Sequence, residues 1–274
     1  MSACSVPESS EIKSGTIKSV SVAPDAIKAT VPAYRVLPAG DTGLLVEFGE
    51  ALDRRINRYV LALAHSLDRQ ALTGVVETVP TFRSLMVYFE PLVISTAALT
   101  ARIVELIDGL RPSDAAARLW RLPVCFDAAL APDLADVASR TGLSPQQVVE
   151  RHSAVAYHVY MLGFLPGQAY MGDLPDELHL SRREAPRPRI PPGSLAIAMA
   201  MTCIFPLQTP CGWHLIGRSP IALWDARPGS GALLAPGDRV TFAPVSVCEY
   251  ESLLAKSAAG TLQVEPIDHV GAAA

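Results

Sequence analysis

The hydrophobic period of this chain switches between two and about 3.6 residues several times in its first half, and that alternation constrains the fold more than any single motif. "GLLVEF" (Gly43–Phe48) places Leu44, Val46 and Phe48 on one side, as a half-buried strand requires. From Asp53 to Leu67 the apolar residues Ile56, Val60, Leu63 and Leu67 recur at three- and four-residue steps, which predicts an amphipathic helix with Asp53 as its N-cap. "VVETV" (Val75–Val79) and "LMVYF" (Leu85–Phe89) are two further strands, and the Pro80–Ser84 link suits a hairpin. Thr96 is placed to cap a second helix that buries Leu99, Ile103, Leu106, Ile107 and Leu110 and stops at Gly109 and Pro112. "RLWRLPVCF" (Arg118–Phe126) reads as a fourth strand, with Pro123 putting part of it at an edge.

The resulting order, β-α-β-β-α-β, is that of a ferredoxin-like split βαβ unit. It predicts an α/β domain over residues 33–120. A helical pair follows. Its first member runs from about Asp133 to Arg140, and its second opens on Ser144-Pro145-Gln146-Gln147, a capping box with Pro at N1, and ends near His152. Beyond Tyr157, prolines and glycines punctuate short apolar runs ("YHVYML", "SLAIAMA", "WHLIG", "IALWD", "RVTFAPV"), the pattern of an all-β sandwich or barrel. With its helical lead-in this predicts a second domain over residues 121–258. Residues 1–32, rich in Ser, Ala and Lys, are expected to be a disordered leader, and residues 259–274 a flexible tail.

Half of the 274 residues are hydrophobic, ample for a buried core. The formal net charge is −4 and no block of basic residues stands out, which argues against a nucleic-acid partner. No apolar run approaches the roughly 20 residues that span a bilayer, so no membrane partner is expected. The leader lacks the continuous apolar core of a signal peptide. Five scattered cysteines without a C-x-x-C pair fit a reducing compartment. Together these point to a cytoplasmic protein.

The densest chemistry lies in "PLQTPCGWHLIGRSP" (Pro206–Pro220). Cys211 and His214 invite a thiol–imidazole reading, but three residues apart on an extended chain they face opposite ways, so the spacing does not support a nucleophile and its base. Cys203, Cys211 and His214 lack the close ligand pairs of a zinc site, so no metal is expected, and His152 and His158 are not an i, i+4 pair. Arg187 and Arg189 stand two apart in the extended "EAPRPRIPPG", with Arg218 further on. Their guanidiniums form either a carboxylate or phosphate clamp, or a solvated rim with ion pairs to Glu184 or Asp225. "MLGFLPGQAYMG" (Met161–Gly172) is either a rigid ligand-lining loop or a corner of a barrel. No phosphate-binding loop, dinucleotide fingerprint or nucleophile elbow is present.

Four stretches taken together, "GDTGLLVEFGEALD", "GFLPGQAYM", "PRPRIPPGS" and "PLQTPCGWHLIGRSP", resemble the allophanate-hydrolase-subunit-1 family over about residues 33–255. That family includes the B subunit of bacterial 5-oxoprolinase, the sporulation histidine-kinase inhibitor and part of the carboxyltransferase region of urea carboxylase. The resemblance implies a small α/β domain followed by a cyclophilin-like β-barrel. It implies contact with substrate or partner through Phe164, Pro166, Gly167 and Tyr170, through Arg187, Arg189, Pro192 and Gly193, and through Gly212, Trp213, Gly217 and Arg218, with Thr202 and His214 beside them. The chain departs from the family pattern at Gln168, where Phe is usual, at Met201 and Cys203, where Gln and Gly are common, and at Cys211, where Gly is usual.

The main expectation is therefore a component, like the B subunit, of an ATP-dependent 5-oxoprolinase, which opens the lactam of 5-oxo-L-proline to L-glutamate. It would act beside a homologous allophanate-hydrolase-subunit-2-like protein and a lactam-utilisation subunit. No cofactor is expected in this chain, with ATP and Mg at the level of the complex. The alternatives are a histidine-kinase inhibitor without catalysis and a carboxyltransferase component of urea metabolism that works with a biotin carrier.

Overall fold

The computed structural model describes residues 31–112, 117–227 and 230–267, so the expected leader lies outside the described residues except at its last two positions. Strands β1 (Tyr34–Pro38) and β2 (Gly43–Phe48) form a hairpin. Helix α1 (Arg54–Gln70) follows, and the Asp53 carboxylate accepts the Arg55 N–H at 2.6 Å, as the cap reading requires. Strands β3 (Val75–Pro80) and β4 (Ser84–Phe89) and helix α2 (Thr96–Asp108) complete this layer. The α2 cap is Ser95 and not Thr96: Ser95 is extended, and its hydroxyl accepts the Ala98 N–H at 3.2 Å. The sheet order is β1-β2-β4-β3, every neighbour antiparallel, so β2 and β3 run parallel with β4 between them. Leu44, Val46, Phe48, Leu85 and Val87 from the strands share one core with Val60, Leu63 and Leu67 of α1 and Leu99, Ile103 and Ile107 of α2.

The split βαβ connection is therefore present, but its expected fourth strand is not. β5 (Leu119–Val124) pairs in parallel with the late strand β15 (Arg239–Pro244), and the edge place beside β2 is taken by the N-terminal β1. The apolar alternation of β5 suited either sheet. What decides it is a six-residue parallel register against β15.

β5 leads into helices α3 (Leu134–Thr141) and α4 (Pro145–Ser153), the latter with its capping box formed in both directions. Strands β6 (Tyr157–Leu162), β7 (Ala169–Gly172), β8 (Arg187–Ile190), β9 (Ser194–Ala198), β10 (Met201–Ile204), β11 (Thr209–Cys211), β12 (His214–Arg218), β13 (Trp224–Asp225) and β14 (Gly231–Ala232) come before β15. Seven of the strands form one sheet in the order β12-β9-β10-β7-β6-β15-β5. Its two ends meet where Cys125 and Arg218 exchange backbone hydrogen bonds of 2.9 Å, nearly closing a barrel. Gly217 permits that seam, since a Cβ there would lie 2.8 Å from Val124 Cγ1. Gly193, at φ +79°, lies under the next crossing, where a Cβ would stand 2.2 Å from the Ser219 carbonyl oxygen.

Helix α5 (Val247–Ala258), capped by Ser246, was not read from the sequence. The chain beyond it does not leave the surface at once: Leu262 and Val264 pack on the barrel core, and the Ile267 N–H donates to the Leu119 carbonyl at 2.7 Å. Apolar contact thus holds a stretch expected to be flexible, as far as the described residues reach.

The first layer is joined to the barrel by a buried amide. Asn57 of α1 donates through Nδ2 to the carbonyls of Thr81, Phe82 and Tyr160 at 3.0–3.1 Å, and its Oδ1 lies 2.8 Å from His158 Nε2. No helix among the described residues is long and apolar enough to cross a membrane.

Candidate functional site

The alternation of β9 divides its side chains between two cores. Leu195 and Ile197 point into the barrel, while Ala196 and Ala198 face outward with Cys203 of β10 and Leu215 of β12. These small outward residues leave room for a second layer. The β8–β11 ribbon covers them with Ile190 and Cys211, and Phe205 and Trp213 complete the cluster. The loop 163–168 between β6 and β7 comes down on the same face, with Leu165 and Tyr170 packed against it.

Where the loop and the ribbon meet, a cavity of about 160 Å³ opens. Tyr170, Phe205 and Trp213 form its aromatic walls, with Tyr170 and Phe205 each set edge-on to Trp213 at centroid distances of 6.1 and 6.2 Å. Phe82, from the turn between β3 and β4, meets Tyr170 edge-on at 5.8 Å, so the first layer buttresses the wall. Pro210, Cys211 and Gly212 line the ribbon side. Phe164 stands at the mouth, 68% exposed and held at φ +70°, a left-handed conformation rarely adopted by a bulky residue. Gln168 and Arg182 are the polar members of the lining.

Gln168 is almost fully buried, and its Oε1 has no hydrogen-bond partner. Its Nε2 has only a 4.0 Å approach to Cys203 Sγ. Arg182 is exposed and makes no hydrogen bond or ion pair among the described residues. The thiols do not behave as nucleophiles. Burial pushes the Cys203 thiol well up, reinforced by Cys211, and burial likewise raises Cys211 although the Trp213 N–H and Arg187 oppose it. Both stay protonated near neutral pH, the unreactive form.

The family-pattern residues fall into separate groups. Phe164, Tyr170, Gly212 and Trp213 meet around the cavity. Pro166 lies in the adjoining loop, and Gly167 packs its backbone against Leu223 and Trp224. The three arginines are not brought together as a clamp. Arg187 spends both terminal nitrogens on Asp133, at 2.8 and 2.6 Å, and that carboxylate also holds Arg183 at 3.0 Å and the Leu215 N–H at 2.7 Å. Asp133, and not Glu184 or Asp225, is thus the partner of Arg187, and Asp225 pairs with Arg227. Arg189 is exposed on β8. Arg218 donates to the Pro192 carbonyl beside the barrel seam, next to Gly193.

Thr202 is buried, donating to the Ala196 carbonyl at 3.1 Å and lying 3.0 Å from His152 Nε2. His214 is buried and donates through Nε2 to the Ser181 carbonyl at 2.9 Å, while the Cys211 thiol receives the Trp213 N–H at 3.2 Å. The two residues therefore have separate partners. Cys203 and Cys211 are absent from the positive-φ positions, so neither stands on a backbone conformation that calls for glycine.

Sequence reading missed Arg182, Phe205, Pro210 and Asp133. The dipeptide Arg182-Arg183 held a signal, two adjacent cations of which one is neutralised by the buried Asp133 and the other is left at the cavity. Two larger clefts, of about 640 and 790 Å³, lie between α1, α2 and residues 236–238 and beside α4 and residues 244–247, away from the motif loops.

Residues 34–234 match the family described as carboxyltransferase domain, subdomain C and D. The chain is 33% identical to the B subunit of 5-oxoprolinase from Bacillus subtilis over 233 residues, which cover 80% of this chain and 96% of that protein. It is 38% identical to the B subunit of 5-oxoprolinase from Escherichia coli O157:H7 over 208 residues, 75% of this chain and 93% of that one. Among solved structures, TTHA0988 matches at 37% identity with a TM-score of 0.67, over 74% of this chain and 40% of that chain. The Kluyveromyces lactis urea amidolyase shares the fold at 21% identity with a TM-score of 0.71, over 86% of this chain and 16% of that chain.

Proposed function

Since the chain belongs to the carboxyltransferase-domain family of subdomains C and D, we propose that it takes the place of the B subunit in an ATP-dependent 5-oxoprolinase. In this reading it opens the lactam of 5-oxo-L-proline to L-glutamate together with a homologous second subunit and a lactam-utilisation subunit. The observation that carries the reading is that it is 33% and 38% identical to two proteins of that name over nearly their whole length. The geometry supports a part in binding. The cavity has a size suited to a small ring, its thiols are protonated, and Arg182 and Phe164 stand exposed at its edge, where a second subunit would complete it. The chain has no phosphate-binding loop, so ATP and Mg are assigned to the other subunits. The four-stranded layer is read as a ferredoxin-like unit with an exchanged edge strand, and the seven-stranded sheet as a cyclophilin-like barrel.

The test is reconstitution with the two partner subunits. The expected result is ATP hydrolysis that depends on 5-oxoproline and yields glutamate. Properly assembled subunits without turnover would refute the proposal. A carboxyltransferase role is the second reading, favoured by the description of the matching family. It requires association with a biotinylated carrier, which a pull-down from a biotin-labelled lysate would show.

A further inference from the structure

We infer that the cavity between the 163–168 loop and β11 is a two-point subsite for a small cyclic amide that carries a carboxylate, with Arg182 taking the carboxylate, Gln168 taking the amide, and Tyr170, Phe205 and Trp213 enclosing the ring. This deepens the proposed function and rests on it for the identity of the substrate.

Three observations converge. First, Gln168 is only 1% exposed, yet its Oε1 is unpartnered and its Nε2 has nothing better than a sulfur 4.0 Å away. A buried amide left without partners destabilises the fold, and an apolar side chain of the same size would avoid that penalty. A ligand amide removes it. In a small lactam the N–H and C=O lie on the same side of the ring, so the primary amide of Gln168 can pair with both, donating to one and accepting from the other.

Second, of the three guanidiniums in Arg182, Arg183 and Arg187, two are committed to Asp133, and the one that lines the cavity is free among the described residues. A guanidinium has donors only, and its planar fork matches a carboxylate. Third, the remaining walls are aromatic and fixed in edge-on contacts. A volume of about 160 Å³ suits a single small ring, since a cavity of about 150 Å³ accepts benzene. The apolar walls cover the ring methylenes, and the two polar groups set its orientation.

The test uses three probes: 5-oxo-L-proline, 2-pyrrolidinone, which lacks the carboxylate, and cyclopentanecarboxylate, which lacks the amide. Binding to the full chain is measured by calorimetry, and the same compounds are run as substrate or competing inhibitors of the assembled complex. The expected order places 5-oxoproline at least about tenfold ahead of either analogue. Gln168→Leu removes the preference over cyclopentanecarboxylate and keeps that over pyrrolidinone. Arg182→Met does the reverse. Thermal melts guard against misfolding: Gln168→Leu keeps or raises the midpoint, because it deletes an unpartnered polar group.

Folded variants with unchanged preferences, in the chain and in the complex alike, overturn the subsite. If the complex still turns over 5-oxoproline in that case, the 5-oxoprolinase assignment stands alone. If the preferences shift as stated while the complete complex shows no turnover, the subsite stands and the 5-oxoprolinase reading fails.

Discussion

Replacing Asp133 with Asn tests whether Arg187 is a structural residue or a ligand clamp. The Asp133 carboxylate is 4% exposed and holds Arg187, Arg183 and the Leu215 N–H, while the two arginine side chains are 27% and 28% exposed. Removing one partner of a buried ion pair costs about 3–5 kcal/mol, and the partial exposure of the arginines brings the expected loss to about 2–3 kcal/mol. For a domain of this size each kcal/mol moves the melting midpoint by about 2–4 °C, so a drop of about 4–12 °C is expected at pH 7.

The loss has a defined pH dependence. Burial alone would raise the Asp133 pKa, but the Arg187 and Leu215 hydrogen bonds and the charges of both arginines outweigh it and lower it below the usual aspartate value. A carboxylate depressed in the folded state contributes its stability in full above the unfolded pKa of about 4. That contribution is lost as pH falls through the folded value, so the deficit of Asp133→Asn shrinks in acid. Denaturant titrations of Asp133→Asn, Arg187→Met and the double variant should give a coupling of about 1–3 kcal/mol. Additivity within about 0.5 kcal/mol, or a deficit unchanged from pH 7 to pH 3, would refute the reasoning. So would tighter ligand binding by Asp133→Asn, the signature of a freed clamp.

Three further outcomes follow from the same geometry. Gly193→Ala places a β-carbon 2.2 Å from the Ser219 carbonyl oxygen at φ +79°, and denaturant titration should show a loss of about 2–4 kcal/mol. Asn57→Leu leaves the Thr81, Phe82 and Tyr160 carbonyls and His158 without this partner, and should cost about 2–4 kcal/mol with earlier exchange of the α1 and β6 amides. His152, stacked on Phe242, is held neutral by burial at a pKa of about 3, so its contribution is full above pH 6.5 and is lost as pH falls toward 3. His152→Gln should flatten the acid limb of the stability curve by up to about 1.4 kcal/mol per pH unit, measured by chemical denaturation from pH 7 to pH 4.

Much of the local structure was legible because its causes are local. Asp53 and Ser144 cap the helices they precede, the three- and four-residue steps of Val60, Leu63 and Leu67 face one core, and the alternation of Leu44, Val46 and Phe48 does the same in a strand. The Thr96 cap was displaced by one residue because Ser95, of similar chemistry, stands next to it. The motif loops were recognisable, and Phe164, Tyr170 and Trp213 are found around one cavity.

The sequence by itself thus determined the helices α1 to α4 and the strands β2 to β5, which side of each is apolar and which loops carry unusual residues, while α5 escaped it. Tertiary structure alone decided which strand joins which sheet and which charge meets which. β5 satisfied the local pattern of a fourth strand, but its hydrogen bonds are made with β15, about 120 residues later in the chain. Arg187 and Arg182 are chemically alike, and only the fold places Asp133 against the first and an open cavity beside the second. The physical reason is one of range. Propensity and periodicity act over a few residues along the chain, whereas ladder register, ion pairing and burial depend on groups brought together from distant parts of it.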